Sequence, residues 1–439
     1  MLKKVINFFK KQTNIRYIAL GFLAIIFLGS GLLMIPGVYK KPIGYINALY
    51  TSTSAVCVTG LIAVDTFDCF NTIGQIIVML LIQIGGLGVT TLGAGLILAI
   101  RHKVNLKERN IIQESLNVED TRGLLALFKR VFLYTFVIEF VGACLSLISF
   151  SKHYSIGEAI FKSVFHSIAS FNNAGFDILG GLKNLLDYRA DVLLNIVTML
   201  LIILGGLGFL VISDIIAKKG KFKKLTLQSK IVITMTVILL ICGSLLIKLT
   251  ERDNITWLGA IFTSTSSRTA GFSTFSLGNF SNAGLLVVIV LMFIGASPGS
   301  TGGGIKTTTF FVIYKGIVGM VTHKSTNAYK YSINRETVRK AFVVTCLAIS
   351  VIVTSTFIVC MIERNNTDIR FIDILFEMTS AFGTVGLSTG ITTKLLIGSK
   401  IISIIMMYIG RVGPLTIVSL WYSGTDEYFQ YSEGVIPIG

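Results

Sequence analysis

The sequence is poor in charged side chains, and this scarcity excludes an ordinary soluble domain. Charged residues make up 14% of the 439 positions and hydrophobic residues 53%, whereas a soluble globular domain has about 25% charged residues. Histidine and cysteine are also scarce, with four and six residues, and their spacing matches no metal-binding motif. The hydrophobic runs lack the Ser/His, paired Asp or His/Glu sets of an intramembrane enzyme, so the sequence predicts neither an enzyme nor a covalently bound cofactor.

Long hydrophobic runs are what the sequence has instead. Most of them approach the ~20 residues that an α-helix needs to cross the hydrocarbon core of a bilayer. The runs cover residues 17–36, 76–100, 131–150, 192–217, 231–249, 285–294, 341–362 and 401–420. We therefore expect an all-α polytopic membrane protein with eight spanning helices.

The formal net charge of +17 is concentrated in a few segments. Residues 1–16, 101–130, 218–230 and 315–340 hold 24 of the 39 Lys and Arg residues. These segments lie between every second pair of hydrophobic runs, which is the positive-inside pattern, so both termini are predicted to be cytoplasmic. The rest of the chain is nearly neutral, so nucleic acid is not an expected partner, whereas membrane lipid is.

Four nine-residue segments of the sequence align without gaps and share a glycine at the eighth position. They cover residues 53–61, 168–176, 264–272 and 379–387, and their glycines are Gly60, Gly175, Gly271 and Gly386. A short amphipathic stretch of about 12 residues precedes each segment and is too short to cross a membrane. A second glycine follows each segment after 24 to 30 residues, at Gly85, Gly205, Gly295 and Gly410. The pattern predicts four pseudo-symmetric repeats of outer helix, half-helix, re-entrant pore loop and inner helix around one central pore.

The extended part of each re-entrant loop predicts a cation-selectivity filter. Non-helical backbone is tolerated at membrane depth where it lines a water-filled path, and rings of carbonyl oxygens can there replace the hydration shell of a cation. Glycine permits the φ angles that direct those carbonyls inward, and the half-helix C-termini favour a cation near the axis. The predicted filter residues are Val58, Thr59, Gly60, Asn173, Ala174, Gly175, Thr269, Ala270, Gly271, Thr384, Val385 and Gly386.

These segments carry a resemblance to a known family. Residues 58–61 (VTGL), 173–176 (NAGF), 269–272 (TAGF) and 384–387 (TVGL) look like degenerate copies of the potassium-channel filter. We call them glycine segments 1 to 4. Their arrangement in one chain resembles the Trk/Ktr/HKT superfamily of potassium transporters over essentially the full length, most closely the bacterial Ktr membrane subunits of the KtrB type. Residues 295–306 and 433–439 are also similar to these subunits.

The resemblance implies more than the residues alone show. It implies potassium uptake in a bacterial plasma membrane, with K⁺ held only at the filter carbonyls and Na⁺ as an activator. It also implies a homodimer, gated by a cytosolic nucleotide-binding RCK ring (KtrA/KtrC-like), through which ATP or ADP acts. Some plant relatives that favour sodium have Ser in place of the first filter glycine, so four glycines point to potassium.

The expected organisation places a cytoplasmic N-terminus at residues 1–16 and a cytoplasmic tail at residues 423–439. The four repeats are expected at residues 17–110, 124–218, 229–320 and 337–422, with the third inner helix broken at residues 295–306.

The break in the third inner helix is rich in residues that disrupt helices. Pro298 removes a helical hydrogen bond, and three consecutive glycines lower the helix propensity further. We predict a mobile gate under the filter; a static kink is the alternative, and a phosphate-binding loop is disfavoured because Ile305 displaces the lysine of that motif. The predicted gate residues are Gly295, Ala296, Ser297, Pro298, Gly299, Ser300, Thr301, Gly302, Gly303, Gly304, Lys306 and Arg411.

Arg411 lies well inside the last hydrophobic run, where a charge is costly and usually faces a cavity or the bundle interior. We predict that it hydrogen-bonds the carbonyls of the gate and raises the barrier to cations; a snorkelling or salt-bridged Arg is the alternative. Lys306 either acts likewise or reaches the cytoplasm. Arg268 is a candidate partner for Glu377 behind the filter. The amides of Asn172 and Asn173 are predicted to brace the filter. Glu139 and Asp214 are predicted to be structural or interfacial.

Two other transport functions compete with a potassium-selective pore. A less selective Na⁺/K⁺ transporter would share the same repeats and filter. An alternating-access cation symporter would use broken helices too, but usually as paired inverted repeats.

Overall fold

The computed structural model describes residues 14–88, 124–414 and 416–417, and this part of the chain is almost entirely α-helical. The expected N-terminal segment, the basic segment at 101–130 and the C-terminal tail lie wholly or largely outside the described residues. The hydrophobic runs at 76–100 and 401–420 are described in their first parts only.

Four long helices correspond to the predicted outer helices. They are Asn14–Leu33, Leu124–Phe150, Leu227–Glu251 and Arg335–Ile362, which we call outer helices 1 to 4. All four qualify as membrane spans by length and composition, and within the described residues a bent pair of helices, Val192–Leu207 and Phe209–Ala217, makes a fifth candidate. Large apolar side chains such as Phe140 and Leu249 are exposed on these helices, as expected for surfaces that face lipid.

A shorter helix follows each outer helix. These half-helices 1 to 4 are Tyr45–Val56, Ile156–Phe171, Trp257–Ser266 and Phe371–Gly383. With 10 to 16 residues they are too short to cross a bilayer. Their C-terminal turns are buried except at Ile168, which is half-buried, and lead directly into the glycine segments.

The predicted inner helices come next, and the first, second and fourth are shorter than their hydrophobic runs. Inner helices 1 to 4 are Thr72–Leu87, Val192–Leu207, Asn282–Phe293 and Ile397–Val412. Asn71, Asp191 and Ser281 cap the first three through side-chain oxygens that accept backbone N–H groups. Helix Thr307–Thr322 follows the third inner helix, and helix Thr66–Cys69 precedes the first. In residues 14–88 and 124–417, as far as they are described, the remaining elements are five single-turn 3₁₀ helices and a hairpin of strands Asn327–Ala328 and Tyr331–Ser332.

Half-helices and outer helices meet through a recurring Gly–Ser contact. Ser52 on half-helix 1 donates a hydrogen bond to the carbonyl oxygen of Ile26 (2.7 Å), and a methyl group added to Gly29 would clash with the Ser52 hydroxyl. The same arrangement recurs in the next two units. It joins Ser167 to the Glu139 carbonyl beside Gly142, and Ser264 to the Leu240 carbonyl beside Gly243. Small residues here let two helix backbones approach closely.

The helices pack in a cyclic order. Inner helix 1 packs against half-helix 2, inner helix 2 against half-helix 3, and inner helix 3 against half-helix 4. Inner helix 4 packs against half-helix 1, which closes the cycle. Tyr50 and Ser403 join these last two helices by a buried hydrogen bond of 3.0 Å. The four glycine segments are thereby brought together although they lie far apart in the chain.

Candidate ion-binding site

The four glycine segments form a closed ring. A methyl group added to Gly60 would clash with segment 2 at the carbonyl of Ala174, and one added to Gly175 would clash with segment 3 at Ala270. Gly271 in turn faces segment 4, and Gly386 faces segment 1. All four glycines have φ between 66° and 94°, a conformation that side chains oppose. Glycine is therefore required here both by conformation and by space. We call this arrangement the glycine ring.

The first residue of each segment is also left-handed, which the sequence did not indicate. Val58, Asn173, Thr269 and Thr384 have φ of 56°, 58°, 92° and 49°. This conformation is unfavourable for the β-branched Val58, Thr269 and Thr384 and costs about 1–3 kcal/mol at each of them, whereas Asn173 tolerates it. Three strained residues at equivalent positions of one ring point to a functional requirement on the backbone.

Backbone N–H groups of the segments point back to the half-helices. In segment 1, Thr59 N donates to the carbonyl of Ser54 (2.8 Å) and Gly60 N to its hydroxyl (3.0 Å). In segment 4, Val385 N and Gly386 N make the same two bonds to Ser380, at 2.9 and 3.1 Å. The amide groups are therefore held away from the centre of the ring, and the carbonyl oxygens face the neighbouring segments.

Those carbonyl oxygens lack partners. Within the described part of the chain, no hydrogen bond reaches the carbonyls of the first two residues of any glycine segment. The residues are buried, and buried carbonyl groups without a partner are rare in proteins. A ring of unpaired carbonyl oxygens is the chemistry that binds a dehydrated cation. The predicted filter residues thus meet at one place and present the donor set expected of them.

The 295–306 loop lies against the inner side of the glycine ring. Inner helix 3 ends at Phe293, and a bridge between Ile294 and Ile305 closes the base of the loop before helix Thr307–Thr322 begins. Gly303 N donates to the hydroxyl of Thr384 (2.9 Å). The Thr301 hydroxyl donates to the carbonyl of Phe171 (3.4 Å), at the end of half-helix 2. The loop therefore contacts the ring and the helices that support it.

The loop is also bonded to inner helix 2. Ser297 N donates to the Gly206 carbonyl (3.1 Å), and Phe209 N donates to the Gly299 carbonyl (3.1 Å). These contacts are possible because the helix breaks at Gly208, where the chain turns by 95° into helix Phe209–Ala217. The free N–H and C=O groups at this break are the partners of the loop.

The break at Gly208 has counterparts that sequence reasoning missed. Inner helices 1, 2 and 4 end at Gly88, Gly208 and Gly413, with φ of 86°, 89° and 98° and ψ of 132°, 146° and 138°. The signal was present in the sequence as a glycine three residues after Gly85, Gly205 and Gly410. Three inner helices therefore stop at one level, in the same backbone conformation.

Arg411 joins the loop to inner helix 1. Its guanidinium donates to the carbonyl oxygens of Thr301 in the loop and Gly85 in the helix. No ion pair involves Arg411 among the described residues. Lys306 folds back onto the loop, where its Nζ donates to the Gly302 carbonyl (2.7 Å). Two cationic side chains thus lie beside the loop and hold it through backbone carbonyls.

Arg268 and Glu377 do not pair, so that prediction was wrong. Glu377 is fully buried and accepts a hydrogen bond from Thr392, on the outer side of glycine segment 4. Arg268 instead faces Gly206 and Thr236, between inner helix 2 and outer helix 3. The two side chains have different neighbours, which residue spacing does not reveal.

Glu139 lies in the interior and not at an interface. Its carboxylate accepts hydrogen bonds from Asn172 (2.9 Å) and Gln83 (3.3 Å). The amide of Asn172 also donates to Gln83 (2.9 Å), and the amide of Asn173 bonds to the hydroxyl of Thr269 (3.1 Å). The Asn pair therefore braces glycine segment 2 between outer helix 2 and glycine segment 3. Asp214 has a structural role, since it accepts hydrogen bonds from Thr226 and Ser229.

The buried helices, the re-entrant segments and the carbonyl ring define an integral membrane protein that handles cations. Residues 7–430 match the family described as "TrkH: Cation transport protein". The chain is 36% identical over 433 residues to the Ktr system potassium uptake protein B of Bacillus subtilis, with 96% of each chain covered. The chain belongs to the TrkH/Ktr family of transporters and is not an enzyme.

Two further comparisons agree with this assignment. The potassium/sodium uptake protein NtpJ of Enterococcus hirae is 36% identical over 445 residues, with 98% of each chain covered. The structure of the potassium transporter TrkH from Vibrio parahaemolyticus matches with a TM-score of 0.75 at 17% identity, over 94% of this chain and 86% of that one. The similarity to TrkH supports the fold.

Proposed function

We propose that this chain is the ion-translocating subunit of a potassium-uptake system. Eight spanning helices in four repeats surround one pore, and K⁺ passes through the glycine ring under the driving force of the membrane potential. The unpaired, buried carbonyl oxygens of the ring are the single observation that carries the proposal. The names of the curated relatives, which describe potassium uptake, support it.

The 295–306 loop is the gate of this pore. It packs under the glycine ring at Thr384 and is held by Arg411, Lys306 and the broken end of inner helix 2. A segment held by hydrogen bonds to polar backbone groups can exchange them for water more readily than a packed helix can. Arg411 stabilises the closed position and places a positive charge in the path of a cation.

A cytosolic nucleotide-binding ring of RCK type controls the gate, and two copies of this chain form a dimer on it. The basic cytoplasmic surface supports such a contact. Five exposed lysines lie in residues 218–224, and Phe222 in this loop packs edge-on against Tyr329 of the hairpin (6.2 Å). An acidic face of a partner, or anionic lipid, suits this surface. Both termini lie in the cytoplasm of a bacterium, ATP or ADP acts through the ring, and Na⁺ stimulates uptake.

A less selective Na⁺/K⁺ transporter is the second candidate. The name of the relative NtpJ, which describes potassium and sodium uptake, favours it. Val58 also gives segment 1 an apolar side chain where segments 3 and 4 have hydroxyls, so the inner end of the ring is not four-fold equivalent.

Growth of a potassium-uptake-deficient bacterium tests the proposal. Expression of the chain with its regulatory subunit is expected to restore growth at low K⁺, whereas the variant Gly271→Asp is expected to abolish it. Any side chain at Gly271 clashes with Val385 in the next segment, and a carboxylate adds a charge that would hold a cation too tightly to release it. K⁺ and Na⁺ uptake are measured in the same cells.

Gly157→Asp provides the matched control. Gly157 lies in the first turn of half-helix 2 with open space around it, and an acidic residue is favourable there. It should transport like the wild type. Growth with Gly271→Asp equal to that of the control would refute the ring as the ion path, and equal uptake of Na⁺ and K⁺ by the wild type would favour the second candidate.

A further inference from the structure

We infer that the hydroxyls of Thr269 and Thr384 form an innermost cation site, and that the 295–306 loop and the permeating cation compete for it. The gate is then opened in part by the ion it admits. The inference rests on the proposed function and adds a regulatory role for the transported ion.

The loop covers the two threonines directly. Gly303 N donates to Thr384 Oγ1 at 2.9 Å, and Thr384 is fully buried. A methyl group added to Gly302 would clash with the hydroxyl of Thr269, and one added to Gly303 would clash with that of Thr384. No layer of water fits between surfaces this close. A cation that reaches these hydroxyls from the side of the loop must therefore displace the loop backbone.

The triple glycine is explained by the same contact. Gly304 has φ of 69°, and a methyl group placed on it would lie 3.3 Å from the Cα atom of Gly383 at the end of half-helix 4. Three consecutive residues without side chains are needed so that loop backbone can lie under the ring. A static kink away from the ring would require no such series.

The oxygen atoms around Thr269 and Thr384 favour binding of an alkali cation when the loop withdraws. The first residues of segments 3 and 4 contribute neutral hydroxyl oxygens with free lone pairs. The amide of Asn173 is bonded to Thr269, which fixes one side of the site. Directly above lie the unpaired carbonyl oxygens of the glycine ring. Neutral oxygen atoms of this kind replace water around K⁺ without binding it irreversibly.

Competition for one site makes ion binding and gate opening thermodynamically linked. If loop closure excludes a cation from the two threonines, then a cation bound there must favour the withdrawn loop by the same factor. The Thr384 hydroxyl is central because it is the hydrogen-bond acceptor for the loop in the closed position. Removal of this oxygen is therefore expected to loosen the loop and to make its position independent of K⁺.

Hydrogen exchange of residues 295–306 in the purified full-length protein tests the inference. In the wild type, the amides of this segment should exchange roughly five-fold faster in K⁺ than in N-methylglucamine, the factor expected for one lost hydrogen bond. In Thr384→Val, exchange should be fast in both solutions. In Thr384→Ser, which keeps the hydroxyl, the wild-type difference should return.

Thr379→Val is the matched control. Thr379 is buried on half-helix 4, five residues before Thr384, but its hydroxyl donates to the carbonyl of Leu375 within that helix (2.7 Å), so the K⁺ effect should persist. Exchange that is indifferent to K⁺ in the wild type, or unchanged by Thr384→Val, would overturn the inference. Growth rescue by the wild type is scored separately, so a failure of potassium transport itself is distinguishable from a failure of this linkage.

Discussion

The four repeats, which we also call units 1 to 4, differ in how their inner helices end. Unit 3 differs from the other three. In units 1, 2 and 4 the inner helix stops at Gly88, Gly208 or Gly413, in one shared backbone conformation. In unit 3 the helix stops earlier, at Phe293, and the chain makes the 295–306 loop before it becomes helical again at Thr307.

The glycines that precede these breaks show what the difference achieves. A methyl group added to Gly85, Gly205 or Gly410 would clash with the last half-helix carbonyls, those of Val56, Phe171 and Phe382. A methyl group added to Gly295 would instead clash with the loop, at the Gly303 carbonyl. In repeats 1, 2 and 4 the close contact at this glycine supports the glycine ring. In repeat 3 the equivalent contact positions the 295–306 loop. A point of helix weakness common to all four is thus extended into a loop in one of them.

The largest expected effect comes from replacing equivalent glycines by alanine in two units. These substitutions test whether the glycine of unit 3 has a different role from the others. Gly410→Ala should abolish K⁺ uptake, because the added methyl displaces the half-helix end that carries glycine segment 4. Gly295→Ala should leave the ring intact and displace the loop, so that uptake without the regulatory subunit rises. Rubidium flux into vesicles containing the purified protein measures both effects. Loss of flux in both variants would show that the third unit supports the ring like the others.

Much of this arrangement was predictable, because the glycine segments depend on local chemistry. Glycine at four registered positions behind short amphipathic helices predicts re-entrant backbone, and all four glycines are left-handed in the structure. The break at residues 295–306 was predictable for the same reason, since Pro298 and the glycines cannot continue a helix. Both features are properties of a few adjacent residues.

Features that depend on tertiary contacts were not predictable. The left-handed Val58 and Thr384 contradict their intrinsic preference, and hydrogen bonds from the segment amides to half-helix carbonyls hold them in this conformation. The repeated glycines at Gly88, Gly208 and Gly413 were a signal for the ends of inner helices, but they fall inside hydrophobic runs that look continuous, so the ends were missed. Burial of Glu139 against Asn172 likewise requires knowledge of which helices are neighbours.

A second test concerns the bonds that hold the loop closed. Arg411→Ala removes two hydrogen bonds from a charged donor, to Thr301 and Gly85, each worth about 1.5–3 kcal/mol. Uptake without the regulatory subunit is expected to rise at least ten-fold, and stimulation by that subunit should shrink accordingly. Arg411→Lys keeps the charge without the planar pair of donors, so it separates the electrostatic barrier from the hydrogen bonds. Unchanged basal uptake in Arg411→Ala would remove Arg411 from the gate.

The smallest expected effect on gating comes from two glutamates at the starts of inner helices 3 and 4. At this end units 3 and 4 have the same hydrogen-bonding arrangement. Glu251 accepts hydrogen bonds from the backbone N–H and the hydroxyl of Ser281 (3.0 and 2.8 Å). Glu363 accepts the same kinds of bonds from Leu396 N and the Ser399 hydroxyl (2.8 and 2.6 Å). Both carboxylates are buried and fix the start of an inner helix.

Glu251→Ala and Glu363→Ala should therefore lower the free energy of unfolding by similar amounts, about 1–3 kcal/mol, because each removes two hydrogen bonds made by a buried carboxylate at the start of an inner helix. Thermal unfolding in detergent measures the shift, and Asp253→Ala, at an exposed neighbour of Glu251, should show none. Neither Glu variant should raise uptake in the absence of the regulatory subunit. If Glu251→Ala alone did so, the special behaviour of the third unit would extend along its whole inner helix. If both variants leave gating unchanged, the special behaviour of the third unit is confined to the 295–306 loop and its contacts at the inner side of the ring.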